Sequence, residues 1–426
     1  MPVPTNYFAP TKSNKFVLTN KIRYWFFLSL ALIINNLGFI GASQAESHHF
    51  DACVYGLQEK ARTNGITAQT VDQVLGNVKH IQPIIELDRK QPEFTQTFAN
   101  YFTTRISDLR IQQGRDLFSR HHELLGQIEQ DTGVSAQYLV SFWGLETNYG
   151  NYFGDWSIPD ALATLACDPR RSSFFTQELL NALRILDSGD VSPEYMIGSW
   201  AGAMGHMQFM PSTFLRYAQD ADGDGRRDLW GSIPDAMYSA ANFLKQMGWV
   251  PGLEWGQEVI LPPKFDYSLA GRNMARRLST WTALGVTTVS EPAFSPDQLV
   301  SILVPAGHKG PAFLVTKNFH IIMRWNRSEF YALSVGHLAD RITGASALKR
   351  TPPSDSSRIS REQIRQLQLD LAKLGIDAGM ADGIMGSKTR QAISRFQKNT
   401  RRIADGHLDT SLLAIIRKAA INHSNP

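Results

Sequence analysis

The chain has 426 residues, of which 43% are hydrophobic and 19% charged, the composition of an ordinary globular protein. This balance excludes a disordered chain, and the length allows two or more domains, each with a sizeable core. Lysines and arginines number 43 against 39 aspartates and glutamates, a near balance that gives no reason to expect a nucleic-acid partner.

Residues 1–45 are predicted to be a signal peptide. Basic and no acidic side chains precede an apolar run at 25–34, and the small residues of 41–45 offer a cleavage site after Ala45. Asn35 and Asn36 interrupt the apolar run, which is too short for a membrane span. No lipidation motif precedes Cys53. We therefore predict an exported, periplasmic protein, with an uncleaved signal anchor as the alternative and the only predicted membrane contact.

Cys53 and Cys167 are the only cysteines of the chain. An oxidising compartment favours their union in a disulfide. Two free buried thiols are the alternative, because the sequence does not give the separation of the two residues.

The segment 135–150 is predicted to carry a catalytic acid. Ser135 is a suitable N-cap, apolar residues follow at helical spacing, and Gly144 and Gly150 flank Glu146. An amphipathic helix therefore ends near a glutamate with aromatic neighbours, whose low polarity would raise its pKa toward the range of a general acid. The alternative is a helix-end glutamate that only caps the helix or forms a salt bridge.

A glycine-rich strip at 199–212 follows, and it carries one amide, Gln208, among methionines and a phenylalanine. An amide buried in such a strip must find hydrogen-bond partners. One carboxylate at a helix end and one amide in a glycine-rich strip together form the layout of a sugar-cleaving site.

The run 220–231 reproduces the front of a calcium loop, with aspartates at positions 1, 3, 5 and 9 and a glycine at position 6. Position 12 is Gly231 instead of glutamate, so Asp235 would have to supply the closing ligand. Helical patterns on both sides complete a helix-loop-helix, and we predict a structural calcium ion. The alternative is an Asp-Gly turn without an ion. The predicted ligands are Asp220, Asp222, Asp224, Arg226 through its carbonyl oxygen, Asp228 and Asp235.

The remaining chain is predicted to contain a small β subdomain at 258–317, a linker at 348–357 and a helical unit at 358–421, before a tail at 422–426. The unit contains an Asp-Gly-x-x-Gly-x-x-Thr turn at 382–389 and a helix that ends in Phe396-Gln397. In these features it resembles the peptidoglycan-binding domain of three helices. The alternative is a helical appendage without a ligand.

Segments 144–150 and 201–212 closely resemble two motifs of the B-type lytic murein transglycosylases, Gly-x-Glu-Thr-x-Tyr/Phe-Gly and Ala-Gly-Ala-Met-Gly-x-x-Gln-Phe-Met-Pro-Ser. The resemblance extends from about Phe50 to about Thr343. It implies a mainly α fold with some β structure, in which residues 46–347 form a lysozyme-like helical catalytic core. Relatives of this type carry a comparable calcium loop.

The resemblance also implies roles for individual residues. Glu146 would be the only catalytic acid and base, Ser199 would be its hydrogen-bond partner, and Gln208 would hold the N-acetyl group of the muramic acid ring. Three further residues would line the sugar and peptide groove, with an ordinary surface pair or core aromatic as the alternative for each. They are Arg171, Asn326 and Tyr331. Two positions depart from the family pattern, since Trp325 and Phe243 stand where tyrosines are common.

These inferences predict an exported lytic murein transglycosylase that needs no catalytic cofactor. It would cleave the β-1,4 bond between N-acetylmuramic acid and N-acetylglucosamine and leave 1,6-anhydromuramic ends. A hydrolytic muramidase and a catalytically silent peptidoglycan-binding protein are the alternatives. Peptidoglycan glycan strands are the predicted partner, and complexes for cell-wall synthesis or division are candidate partners.

Overall fold

Helices make up most of the part of the chain that the computed structural model describes, which is residues 49–90, 96–291, 294–353 and 359–424. The chain divides into a first unit, residues 1–55, and a second unit, residues 56–426. The predicted signal peptide lies outside the described residues. The helices of the catalytic portion are α1 (49–63), α2 (Ala68–Thr70, continuing as a π-helix over Val71–Leu75), α3 (Gln82–Lys90), α4 (Phe98–Arg105), α5 (Asp108–Arg120), α6 (His122–Thr132), α7 (Ala136–Thr147), α8 (Ile158–Cys167), α9 (Ser172–Asp187), α10 (Pro211–Tyr217), α11 (Ile233–Gln246), α12 (Leu278–Ala283), α13 (Lys317–Trp325) and α14 (Glu329–Ile342).

Helix α7 is the central helix of this portion. It begins after Ser135, the predicted N-cap, and ends at Thr147. Its side chains are buried on nearly every side, because α5, α6, α11 and α14 all pack around it. The expectation of an amphipathic helix was therefore wrong. Ser141 satisfies its buried hydroxyl by donating to the carbonyl of Val335 in α14 at 2.7 Å.

Two small sheets accompany the helices. One is a short antiparallel pair, β1 (Trp156–Ser157) with β2 (Ile197–Gly198). The other has five antiparallel strands in the order β4-β6-β7-β3-β5. Its strands are β3 (Gly256–Ile260), β4 (Arg276–Arg277), β5 (Thr287–Thr288), β6 (Leu299–Leu303) and β7 (Ala312–Val315). The indole of the fully buried Trp281 donates to the carbonyl of Val300 at 3.0 Å and anchors the core beneath this sheet. The predicted β subdomain is thus confirmed.

Helices α15 (Arg361–Lys373), α16 (Ser387–Asn399) and α17 (Thr410–Ser424) form the predicted C-terminal helical unit. Two glutamines hold its Asp-Gly turns in the same way. The amide nitrogen of Gln368 donates to Asp382 at 3.0 Å, and its oxygen accepts from the following glycine at 2.9 Å. Gln397 repeats both bonds at Asp405, each at 2.8 Å. Asp405 also bonds a ring nitrogen of His308 at 2.6 Å, which docks the unit on the β subdomain.

Two further observations concern the cysteines and the lengths of the helices. Cys53 and Cys167 are both disulfide-bonded, not free thiols. Within residues 49–424, as far as these are described, no helix has the length and apolar character needed to cross a membrane.

Candidate active site

A turn in the left-handed backbone region closes α7 directly after the glutamate. Asn148 and Tyr149 have φ of 50° and 62°, a region that non-glycine residues rarely occupy. Gly150 follows with φ of 80°, and a Cβ at that position would lie 2.5 Å from the ring of His206. The surrounding structure must hold this turn in place, since such conformations persist only where their neighbours determine them.

Glu146 lies on the last turn of α7, partly exposed, and three side chains from other helices act on it. The hydroxyl of Tyr331 donates to its carboxylate, and Trp325 and Arg105 also favour the charged form of the group. Burial raises the pKa of Glu146 to about 7, against the pull of these three neighbours. At neutral pH about half of such carboxyl groups hold a proton, so Glu146 can act as an acid and then as a base.

The glycine-rich strip forms a tight hairpin turn. The backbone groups of Met204 and Phe209 pair at 2.9 and 3.0 Å, and Gln208 sits in the turn with φ of 47°. The amide nitrogen of Gln208 donates to the carbonyls of Phe153 and Gly205 at 3.0 and 3.1 Å. Because both partners are acceptors, the NH₂ group must face them. The amide oxygen is therefore the end of the side chain that remains for a ligand N–H.

An aromatic wall joins this strip to the acid. The ring of Trp325 lies 4.4 Å from Phe142, 5.2 Å from Phe209 and 5.0 Å from Phe243, measured between ring centres. Trp325 is also one of the side chains that favour the charged form of Glu146. Phe209 directly follows Gln208 in the chain, so the wall includes the neighbour of this amide as well. Both positions that depart from the family pattern, Trp325 and Phe243, belong to this wall.

Two predicted binding residues, Ser199 and Asn326, make local hydrogen bonds. The hydroxyl of Ser199 accepts from the amide of Ala203 at 3.0 Å, whereas the hydroxyl that donates to Glu146 is that of Tyr331. Asn326 is exposed at the end of α13, where its side chain accepts from the amide of Ser328 at 3.2 Å.

The contacts of Arg171 are with residues other than those that surround Glu146. Its guanidinium pairs with the buried Asp88 and lies 4.8 Å from the ring centre of Phe175. A surface cavity of about 530 Å³ opens beside it at the start of α9. The cavity is lined by Lys60, Pro169, Arg170, Arg171, Ser172, Ser173, Thr176 and Gln177.

The aspartate loop lies between α10 and α11 and gathers three of the predicted ligands. One carboxylate oxygen from each of Asp220, Asp222 and Asp235 lies within 4.8 Å of the others. Asp235 is fully buried and accepts from the amides of Ala221 and Asp228, both at 2.7 Å. Burial raises the pKa of Asp235, and the neighbouring charge of Asp222 adds to the rise.

The other predicted ligands of the loop have different contacts. The carboxylate of Asp224 accepts from the guanidinium of Arg226 at 2.8 Å, and Arg226 directs its backbone amide to the same carboxylate. Asp228 accepts from the amides of Trp230 and Gly231 at 2.9 and 2.8 Å. Both aspartates therefore shape the turn and lie outside the group of three.

Sequence reasoning missed Arg105 and His206. Arg105 comes from α4, and no local pattern marks it. His206 lies inside the glycine-rich strip, at a position that the family motif leaves open, and burial lowers its pKa to about 4. The available signal was that His206 directly follows Gly205 in the strip.

Comparisons with known proteins agree with this geometry. The family model described as "Transglycosylase SLT domain" matches residues 49–340, and that described as "Putative peptidoglycan binding domain" matches residues 360–416. Membrane-bound lytic murein transglycosylase B of Escherichia coli (strain K12) is 29% identical over 301 residues, covering 67% of this chain and 81% of that protein.

Solved structures are similar over comparable lengths. SltB3 from Pseudomonas aeruginosa, in complex with NAG-anhNAM-pentapeptide, is 42% identical with a TM-score of 0.84, and the match covers 86% of this chain and 99% of that one. The Escherichia coli lytic transglycosylase Slt35, in complex with calcium, is 29% identical with a TM-score of 0.60, covering 68% of this chain and 92% of that one.

Proposed function

The chain belongs to the SLT transglycosylase family, and we propose that Glu146 is the single acid and base of its lytic murein transglycosylase reaction. The observation that carries the proposal is the surroundings of this carboxyl group. Burial raises its pKa to about 7, and among the described residues the side chains that most affect this pKa are Tyr331, Trp325 and Arg105, none of them a carboxylate. Ordinary glycoside hydrolysis needs a second carboxylate as base or nucleophile.

The reaction needs no other group to carry protons. Protonated Glu146 gives its proton to the oxygen between N-acetylmuramic acid and N-acetylglucosamine, and the C1–O bond breaks while the substrate's own acetamide assists at C1. The resulting carboxylate removes the proton of the C6 hydroxyl. The C6 oxygen then attacks C1 and displaces the acetamide, which closes the 1,6-anhydro ring. Glu146 is protonated again at the end, and no water is consumed.

Gln208 is proposed to hold the acetamide for this attack. Its NH₂ group is committed to two backbone carbonyls, so its oxygen accepts the N–H of the substrate acetamide. That bond turns the acetamide oxygen toward C1. Positioning of this kind can supply several kcal/mol of the lowered barrier.

The first experiment compares the mature protein with Glu146→Gln on purified cell-wall sacculi, with released fragments weighed by mass spectrometry. We expect fragments one water lighter than hydrolysis products from the wild type and none from the variant. Reducing muramic ends would identify a muramidase instead. Sacculi that bind the protein and release nothing would identify a silent binding protein. Asp340→Asn is the matched control, because it also removes a carboxyl with a raised pKa.

We further propose that the aspartate loop binds calcium as a structural ion. Hard carboxylate oxygens are the ligands that Ca²⁺ prefers, and Asp220, Asp222 and Asp235 bring three of them together. Calcium at 100 times its Kd should stabilise the fold by about 2.7 kcal/mol, measured as a rise in Tm over an EDTA-treated sample. Asp220→Ala should abolish that rise. An equal rise in the variant would contradict the assignment.

Export to the periplasm and binding of wall polymer by residues 358–421 complete the proposal. The linker at 348–357 would separate that domain from the catalytic domain at 46–347. Loss of sacculus pelleting after deletion of 348–426, with glycan cleavage retained, is the expected result. Unchanged pelleting would assign wall binding to the catalytic domain.

A further inference from the structure

His206 is a buried residue with hydrogen bonds to both sides of the acid. Its ring nitrogen Nδ1 accepts from the indole N–H of Trp143 at 2.9 Å. Its backbone carbonyl accepts from the hydroxyl of Thr147 at 3.0 Å. Trp143 and Thr147 stand three residues before and one residue after Glu146 on α7, and both are buried. His206 therefore hydrogen-bonds both ends of the helical turn that carries the carboxylate.

The backbone of the same residue is tied to the aspartate loop. The amide of His206 donates to the carbonyl of the fully buried Leu229 at 2.8 Å. Phe153, whose carbonyl holds the Gln208 side chain, packs its ring 4.8 Å from the imidazole. One residue thus contacts the acid helix, the support of Gln208 and the loop between α10 and α11.

The left-handed turn after α7 is connected to His206 through Thr147, whose hydroxyl also accepts from the amide of Gly150 at 3.1 Å. Asn148 and Tyr149 lie in the left-handed region, which non-glycine residues keep only where the surrounding structure determines it. The absence of a Cβ at Gly150 is what admits the imidazole against this turn. The tautomer follows from chemistry, because an indole N–H only donates and Nδ1 must therefore accept.

We infer that His206 is a positioning residue, which holds the end of α7 so that Glu146 and Gln208 keep a fixed separation. The inference rests on the proposed function, since it assigns Glu146 and Gln208 their roles. It assigns His206 no contact with substrate and no proton transfer. Misplacement of a catalytic group by about 1 Å can cost about 100-fold in rate, so a loosened turn should lower kcat and leave KM nearly unchanged.

The test uses three variants that separate the hydrogen bond from the volume of the ring. His206→Phe keeps a planar ring against Phe153 and removes the acceptor. His206→Asn places an amide oxygen near the position of Nδ1 and restores it. Trp143→Phe removes the donor from the other side. We expect about a 10-fold to 100-fold fall in kcat for His206→Phe and for Trp143→Phe, with most of the rate recovered in His206→Asn.

The double variant, which combines His206→Phe with Trp143→Phe, measures the coupling between the two side chains. If the bond between Trp143 and His206 is the unit that positions the acid, the double variant loses no more activity than either single variant. Additive losses in the double variant would overturn the inference. A wild-type kcat in His206→Phe would overturn it too. So would a His206→Asn variant whose kcat is as low as that of His206→Phe while the two variants have the same Tm. If His206→Phe does not fold, Trp143→Phe tests the same bond. If anhydro products still form at the wild-type rate without this bond, but not without Glu146, only the inference about His206 is overturned. The proposed function would then still stand.

Discussion

Glu146 on α7 and Asp340 on α14 are two carboxyl groups whose burial raises the pKa, to about 7 and about 8 respectively. The neighbours of the two groups differ in the direction in which they shift the pKa. Tyr331, Trp325 and Arg105 all favour the charged form of Glu146. Asp340 accepts from the indole of Trp255 at 3.0 Å, but the nearby charge of Glu254 pushes its pKa further up. A raised pKa therefore identifies a group that retains a proton. Whether that proton can be transferred to a substrate depends on the residues around the group.

The partners of the two groups define their places in the fold. Trp255 is buried against α14, where a Cβ on Gly336 would fall within 2.5 Å of its ring atoms. Asp340 is thereby fixed at the seam between α14 and the β subdomain. Glu146 instead stands at a helix end beside the aromatic wall and the Gln208 hairpin. The donor to Glu146 is a hydroxyl, which can turn when the charge of its partner changes, whereas the donor to Asp340 is the N–H of a buried indole. This difference agrees with the proposed role of Glu146 as the acid.

Loss of the acid should have the largest effect. Glu146→Gln cannot give or take a proton, so we expect kcat to fall by about 1,000-fold or more, in the range of general acid–base catalysis. Asp340→Asn should stay within about twofold of the wild type, because its site lies outside the chemistry. Initial rates of muropeptide release measure both. Equal losses in the two variants would break the distinction between the groups.

Tyr331→Phe should have an intermediate effect and a diagnostic pH profile. Glu146 must be protonated to begin the reaction, so the wild-type rate falls as the pH rises through about 7. The hydrogen bond from Tyr331 lowers the pKa of Glu146, and its removal should move this limb to higher pH while kcat falls about 10-fold. Tyr238→Phe, which loses an exposed hydroxyl bound to Asp131, should leave the limb in place. A limb that moves to lower pH in Tyr331→Phe would refute the assignment.

The sequence predicted those features that short segments encode. The start of α7 after Ser135, the aspartate turn at 220–231 and the helices of the C-terminal unit depend on residues near one another in the chain. The side chain of Ser135, however, makes no capping hydrogen bond. The neighbours of Glu146 come from α4, α13 and α14, and only packing brings these helices together. For that reason the sequence did not reveal the bond from Tyr331 to the acid. Arg171 pairs with Asp88 and packs on Phe175, and the groove positions of Arg171 and Tyr331 stay predictions.

The last prediction concerns stability, and it leaves the rate of the reaction unchanged. The pKa of Asp340 is about 8 in the folded protein against an ordinary value of 3.8, so between these values the folded state binds more protons than the unfolded state. The free energy of unfolding therefore falls as the pH rises through that window, by at most about 1.4 kcal/mol per pH unit, and levels off above pH 8.

Asp340→Asn should remove this slope, since the asparagine oxygen still accepts from Trp255 but carries no charge toward Glu254. Urea unfolding at pH 5, 7 and 9 should show the variant gaining on the wild type as the pH rises. Glu146→Gln should remove a similar slope that ends near pH 7, because its window runs from 4.5 to about 7. Parallel wild-type and Asp340→Asn curves would mean that Asp340 is already ionised in the folded state. If both slopes disappear as expected, each carboxyl group lowers the free energy of unfolding at neutral pH. The proposed reaction then explains why the chain has a carboxyl group at Glu146, but it does not explain the one at Asp340.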